Sequence, residues 1–261
     1  MRSSVVLKKL RAGKTVLGVN VNLGPSLITG GLVGNMGYDF AFIDMEHRWF
    51  SLKDVALMSL AIRQGNADPV IRIADAGSAA SYHHCYEVGA TGVVAPGIKY
   101  ISEAKHAVES SKFHPVGQRG LDPVNIDADF GIHAMGKVIE WHNRESFTVL
   151  MIEDRTAIEN IDEIAAVPGV DILYLGSADL SQSYGKPGQF DAPEIEDAFR
   201  KVAEACEKHA KWWGAPVMNN SAKLKQYRDM GARFFVVISD YFALKTLMKT
   251  QIEEFRKLID E

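Results

Sequence analysis

Eight short apolar runs spaced along the whole chain constrain the fold more than any other feature. They are Val16–Val21, Phe40–Ile43, Pro69–Ile73, Gly92–Ala95, Val149–Ile152, Ile172–Leu175, Gly214–Val217 and Phe234–Ile238. None alternates apolar with polar residues, so each suits a strand buried on both faces of a parallel sheet. Amphipathic stretches lie between them, among them Leu52–Gln64, Glu103–Ser110, Pro193–His209 and Ala222–Met230. Parallel strands require such crossover helices. Eight strand–helix units fill a closed (β/α)8 barrel. An open doubly wound sheet uses the same alternation, but its Gly-x-Gly-x-x-Gly turn after the first strand is absent.

A short repeat adds to the case. Gly37-Tyr38-Asp39, Gly89-Ala90-Thr91, Gly169-Val170-Asp171 and Gly231-Ala232-Arg233 each precede an even-numbered strand. A glycine there suits the left-handed turn that ends the preceding helix. No linker or low-complexity stretch divides the 261 residues, so a single domain over 1–261 is expected. The longest irregular segment, Lys112 to Gly131, follows the helix after the fourth strand and is expected to fold over the barrel mouth.

Composition excludes several classes. A net charge of −4 without a Lys/Arg run argues against nucleic-acid binding. Two cysteines, Cys85 and Cys206, lack Cys-x-x-Cys spacing, which argues against a structural zinc site or a disulfide framework. No segment reaches the ~20 apolar residues of a membrane span. A cytoplasmic protein acting on small molecules, with neither membrane nor nucleic-acid partners, is the expectation.

In such barrels, chemistry sits at the C-terminal ends of the strands. There the second strand ends in Asp44-Met45-Glu46-His47 and the third at Arg72. The fifth runs into Glu153 and the sixth into Gly176-Ser177-Ala178-Asp179. Strands five and six are neighbours about 4.8 Å apart, so Glu153 and Asp179 can converge on one hard divalent ion. Equally, both can serve as helix caps. Arg72 interrupts an apolar run and needs an anionic partner, either a substrate carboxylate or an acid inside the barrel. Asp44 stands three residues before His47, close enough to orient an imidazole acting as general base. The strand ends carry no lysine for Schiff-base chemistry; Lys99, beyond strand four, is the nearest.

Together these positions resemble the HpcH/HpaI family of class II pyruvate aldolases. The resemblance rests on Phe42-Ile43-Asp44-Met45-Glu46-His47, Val70-Ile71-Arg72, Glu87-Val88-Gly89-Ala90-Thr91-Gly92 and His114-Pro115-Val116-Gly117-Gln118-Arg119-Gly120. It continues through Met151-Ile152-Glu153, Gly169-Val170-Asp171 and Gly176-Ser177-Ala178-Asp179-Leu180-Ser181.

The resemblance implies a metal-dependent carbon–carbon lyase that cleaves or forms 4-hydroxy-2-oxo acids through a pyruvate enolate. It implies Mg²⁺ or Mn²⁺, with Co²⁺ a third candidate, on Glu153 and Asp179, and no organic cofactor. Arg72 then meets the keto oxygen, His47 with Asp44 moves protons, and Gly176, Ser177 and Ala178 hold the substrate carboxylate. Glu87 takes the position of an acid that reaches a neighbouring subunit's site. A hexamer or trimer exchanging a last helix near 241–258 is also implied.

Four positions depart from the family pattern. Met151 replaces a glutamine, Asn20 an aromatic residue and Ser177 a proline, while Leu121–Gly131 is divergent. These alter the acceptor pocket more than the enolate machinery. Oxaloacetate decarboxylation, acyl-CoA cleavage and a non-catalytic keto-acid-binding barrel remain the alternatives.

Overall fold

The computed structural model describes residues 1–260. Strands β1 (Val16–Val21), β2 (Phe40–Asp44), β3 (Asp68–Arg72), β4 (Gly92–Ala95), β5 (Phe147–Ile152), β6 (Ile172–Leu175), β7 (Trp212–Pro216) and β8 (Phe234–Ser239) pair in sequence order, all parallel, into a closed barrel. The expected runs lie within or beside these strands, offset by one to two residues at several ends. Gly37, Gly89, Gly169 and Gly231 all take positive φ, between 88° and 101°, where a Cβ would be strained.

Inward and outward side chains separate cleanly. Ala41, Ile43, Ile71, Val93, Leu150 and Leu173 pack outward under the helices, while Phe40, Phe42, Val70, Phe147, Val149 and Phe234 fill the interior. Small residues make room for large ones: a Cβ on Gly18 would collide with the Phe40 ring, and one on Gly92 with the Phe147 ring. Phe40 stacks on Phe234 at 4.1 Å between centroids. The floor of the barrel is therefore solid.

A helix outside the βα repeat, α1 (Val5–Arg11), closes that floor from below, burying Val6, Leu7 and Leu10 in the same interior cluster. Ser4 caps α1 by accepting the Leu7 N–H, and Asp68 at the start of β3 accepts both the Ser4 hydroxyl and the Val6 N–H. The sequence pattern of residues 5–11 is too short to announce this plug.

The irregular segment after α5 (Ile101–Ser111) lies at the opposite end from the one expected. A helix-to-strand connection ends where the next strand begins, which is the N-terminal face. There the 3₁₀ turn Ile126–Gly131 packs on the end of α4 (Ala79–Glu87), and Asp129 pairs with the N-terminal amine. Arg119 locks the segment down: it donates to Asp127 at 2.6 Å, contacts His142 Nε2 at 2.7 Å and lies between the Tyr86 and Phe113 rings. Burial and the Arg119 charge hold His142 well below its usual pKa, so the ring is neutral and accepts from the guanidinium. Residues 112–131 thus do not cover the mouth of their own barrel.

The last helix, α12 (Asp240–Asp260), leaves the barrel instead of folding back along it. Its main contacts are with β1 and β8, and the residues from Leu244 to Ile259 are exposed.

Candidate active site

The barrel mouth holds a cavity of about 190 Å³ lined by Asn20, Phe42, Arg72, Met151, Glu153 and Tyr174, by Gly176 to Asp179, and by residues of β7 and β8. Drug-sized pockets run to about 300–1,000 Å³, so this one suits a small acid.

Arg72 is the fixed point. Residues 44 and 72 are Cα partners in the β2–β3 register, so Asp44 faces the guanidinium squarely. Nε donates to Asp44 Oδ1 at 3.0 Å and Nη2 to Oδ2 at 2.6 Å. Burial works to raise the Asp44 pKa, but the Arg72 hydrogen bond and charge, with the backbone N–H groups of His47 and Glu46, hold it below the usual carboxylate value. Nη1 lies 2.8 Å from Glu46 Oε2 but off the hydrogen-bonding direction, so that oxygen has no donor. Nη1 also approaches Met151 Sδ at 3.6 Å, where a glutamine would have offered an oxygen. The acid partner open in the sequence is therefore inside the barrel, and one edge of the guanidinium still faces the cavity.

Glu153 caps β5 with its Oε1 accepting the Gly97 N–H at 2.7 Å. A Cβ on Gly176 would stand 2.5 Å from Glu153 Oε2, so only glycine allows this approach. Burial first, then the nearby Glu46 and Asp179 charges, push the Glu153 pKa up to about 7 against the pull of Gly97 and Arg72. Asp179 lies in the first turn of α9 (Ser177–Ser183), which starts directly after β6. Ser177 and Ala178, also in that first turn, line the cavity, and their N–H groups lack helical acceptors.

His47 sits differently from the expected pairing. Asp44 accepts the His47 backbone N–H at 3.2 Å, while the imidazole Nε2 lies 3.7 Å from Glu46 Oε2, with the side chain largely exposed. Glu46, which the sequence did not single out, therefore stands between Arg72 and His47. Glu87 is the last residue of α4, at the N-terminal end of the barrel, and does not line this cavity. Lys99 pairs with Asp154 at 2.9 Å, which raises its pKa and keeps it protonated, the reverse of what an amine nucleophile needs.

Among the described residues, no three His, Cys, Asp or Glu side chains converge as a ready-made metal centre. The donor set is two carboxylates, which leaves positions for water and substrate oxygens as Mg²⁺ and Mn²⁺ prefer. Burial is the main cause of the raised Glu153 pKa, and the Glu46 and Asp179 charges add to it. The residues present fit a hard divalent cation.

A family model described as HpcH/HpaI aldolase/citrate lyase matches residues 28–245. The chain is 31% identical, over 90% of its length and 88% of the other's, to the 4-hydroxy-4-methyl-2-oxoglutarate aldolase cghB of Chaetomium globosum. It is 31% identical to the 2-dehydro-3,6-dideoxy-6-sulfogluconate aldolase of Pseudomonas putida, over 84% of each chain. The solved HpcH/HpaI aldolase from Desulfitobacterium hafniense DCB-2 superposes with a TM-score of 0.91 at 27% identity, covering 96% of both chains. The chain belongs to the HpcH/HpaI aldolase/citrate lyase family and is an aldolase, a carbon–carbon lyase.

Proposed function

We propose that this aldolase cleaves or forms 4-hydroxy-2-oxo acids through a pyruvate enolate generated between Glu153, Asp179 and Arg72. The reading is carried by the meeting of these three side chains on one small cavity. The activities named for the two relatives support it, since both act on 2-oxo (2-dehydro) acids.

Glu153 and Asp179 would hold the divalent ion, Mg²⁺ or Mn²⁺, which when bound supplies a Lewis acid for the keto and carboxylate oxygens. The Ser177 and Ala178 N–H groups receive the substrate carboxylate at the positive end of α9. Arg72, fixed by Asp44, offers its free edge to the oxygen on which enolate charge grows, so little reorganisation is needed at the transition state. His47 takes the C4 hydroxyl proton as the C3–C4 bond breaks, and Glu46 orients its ring. The aldehyde or ketone leaves, and a proton delivered to C3 gives pyruvate.

The test is deuterium exchange into the methyl group of pyruvate, run alongside pyruvate release from 4-hydroxy-2-oxo acids, oxaloacetate and malyl-type thioesters. Exchange that a chelator abolishes and Mn²⁺ restores is expected, with the hydroxy-oxo acids the best substrates. No exchange with any metal would leave a keto-acid-binding barrel in its place.

The same reading extends to assembly. In a (β/α)8 barrel the helix after β8 ordinarily covers the flank beside the helix after β1. Here α12 leaves that place, and α2 (Leu27–Asn35) stands with Ile28 83% and Leu32 60% exposed. On α12 itself, Leu244, Leu247, Met248, Ile252, Phe255 and Ile259 recur at helical spacing and are all exposed. Bare apolar stripes of this length mark an interface. A second copy accepting α12 would also explain why the acid Glu87 stands away from its own cavity. Sedimentation should show an oligomer for the wild type and smaller species for Leu247→Glu/Phe255→Glu. A monomeric wild type would overturn the exchange.

A further inference from the structure

The loop after β2 carries a cation that no acid answers. Arg48 is exposed at the barrel mouth, yet its guanidinium is braced: Nε donates to Asn22 Oδ1 at 3.0 Å and Nη1 to the His47 carbonyl at 2.8 Å. Asn22 is itself held, with its Nδ2 donating to Ser239 Oγ at 2.9 Å and its backbone N–H to Asp240 at 2.8 Å. Both acceptors of Arg48 are neutral, and among the described residues no carboxylate pairs with it. Ordering a long side chain costs rotamer entropy. Here it leaves the Nη2 edge of a planar donor fork fixed and unspent, the geometry that recognises a carboxylate.

The wall below points the same way. Gly18 and Asn20 share the inward face of β1, and Asn22 continues that period-two series just past the strand. Asn20 lines the cavity, and its Oδ1 is buried without a partner. Asn20 lines the same cavity as Glu153 and Asp179, and Asn22, two residues beyond it, holds Arg48 on the neighbouring loop after β2. A buried amide oxygen without a donor is costly and is expected to find one in the ligand.

We propose that Arg48 is a specificity residue that reads a second anionic group at the far end of the substrate, with Asn20 meeting a hydroxyl between the two ends. The substrate class is then a 4-hydroxy-2-oxo acid with a terminal carboxylate. The proposal rests on the aldolase reading above, which seats the 2-oxo acid end at Glu153 and Asp179. His47, adjacent to Arg48, then faces the C4 hydroxyl between the two anchors.

The test compares kcat/KM for a 4-hydroxy-2-oxo diacid and for a matched acid with an uncharged terminus, in wild type, Arg48→Gln and Arg48→Lys. The wild type should prefer the diacid. In Arg48→Gln that preference should fall about 10- to 100-fold, mainly through KM, the loss expected for a charged hydrogen bond. Arg48→Lys should keep part of it. A wild type without preference, or an unchanged preference in Arg48→Gln, overturns the assignment. Deuterium exchange into pyruvate on the wild-type preparation separates the two failures: its absence defeats the aldolase reading, whereas exchange with no loss of preference defeats only the role of Arg48.

Discussion

Glu153→Gln should lower turnover by roughly three orders of magnitude, the loss expected when several kcal/mol of metal-derived charge stabilisation disappears. Asp179→Asn should do the same. The fold should survive both changes, because Glu153 makes one hydrogen bond, from Gly97, and sits at a strand end. The metal-free protein supplies a second readout whose sign is fixed by the raised pKa.

The Glu153 carboxyl titrates at about 7 in the folded chain and near 4.5 when unfolded. Its stability contribution is therefore fully present below pH 4.5 and is lost as pH rises through about 7. At pH 8 the metal-free wild type should be less stable than Glu153→Gln, by about 3 kcal/mol, and the gap should close toward pH 4.5. Bound metal must displace the same proton, so apparent Mn²⁺ affinity should fall about tenfold per pH unit below 7 and level off above it. A flat affinity profile, with full activity in Glu153→Gln, would remove the metal from Glu153.

Arg72→Met carries the next largest effect and separates structure from catalysis. Asp44 is 2% exposed and its carboxylate is bonded to Arg72 on both oxygens. Removing the cation leaves a buried charge with two backbone N–H donors, a loss of about 3–5 kcal/mol for a broken buried pair. Turnover should fall about 10²- to 10³-fold, as when a donor to a developing oxyanion is deleted. The double variant Arg72→Met/Asp44→Asn removes the stranded charge, so thermal melts should recover while activity should not. Recovery of both would make the pair purely structural; an unchanged melting temperature in the single variant would mean the pair contributes little to the fold.

Much of this was legible in the residues. Apolar runs without alternation announced doubly buried strands, and four glycines before the even strands announced the turns that feed them. The carboxylates at the ends of strands five and six were visible because strand order equals sequence order in such a barrel. The partner of Arg72 was not, because it depends on register: Asp44 meets it only once β2 and β3 are aligned residue for residue. Likewise, Glu46 gained its place between Arg72 and His47 from a loop turn that no periodicity encodes. The segment after α5 was assigned to the wrong end because its length and glycines suggested function. The parity of the connection, helix to strand, already determined which end it occupies. Helix α1 and the extra helix Met135–Glu145 escaped because each adds to the βα repeat instead of belonging to it.

The plug that α1 drives into the aromatic floor has a kinetic corollary. A vessel sealed at its base has one doorway, so both halves of a cleaved molecule must depart by the route the whole one entered. The fragment nearer the opening blocks the one behind it. With the 2-oxo acid end seated at Glu153 and Asp179 as proposed, product-inhibition patterns are expected to show sequential release, carbonyl fragment before pyruvate, and loading in the reverse sequence for synthesis.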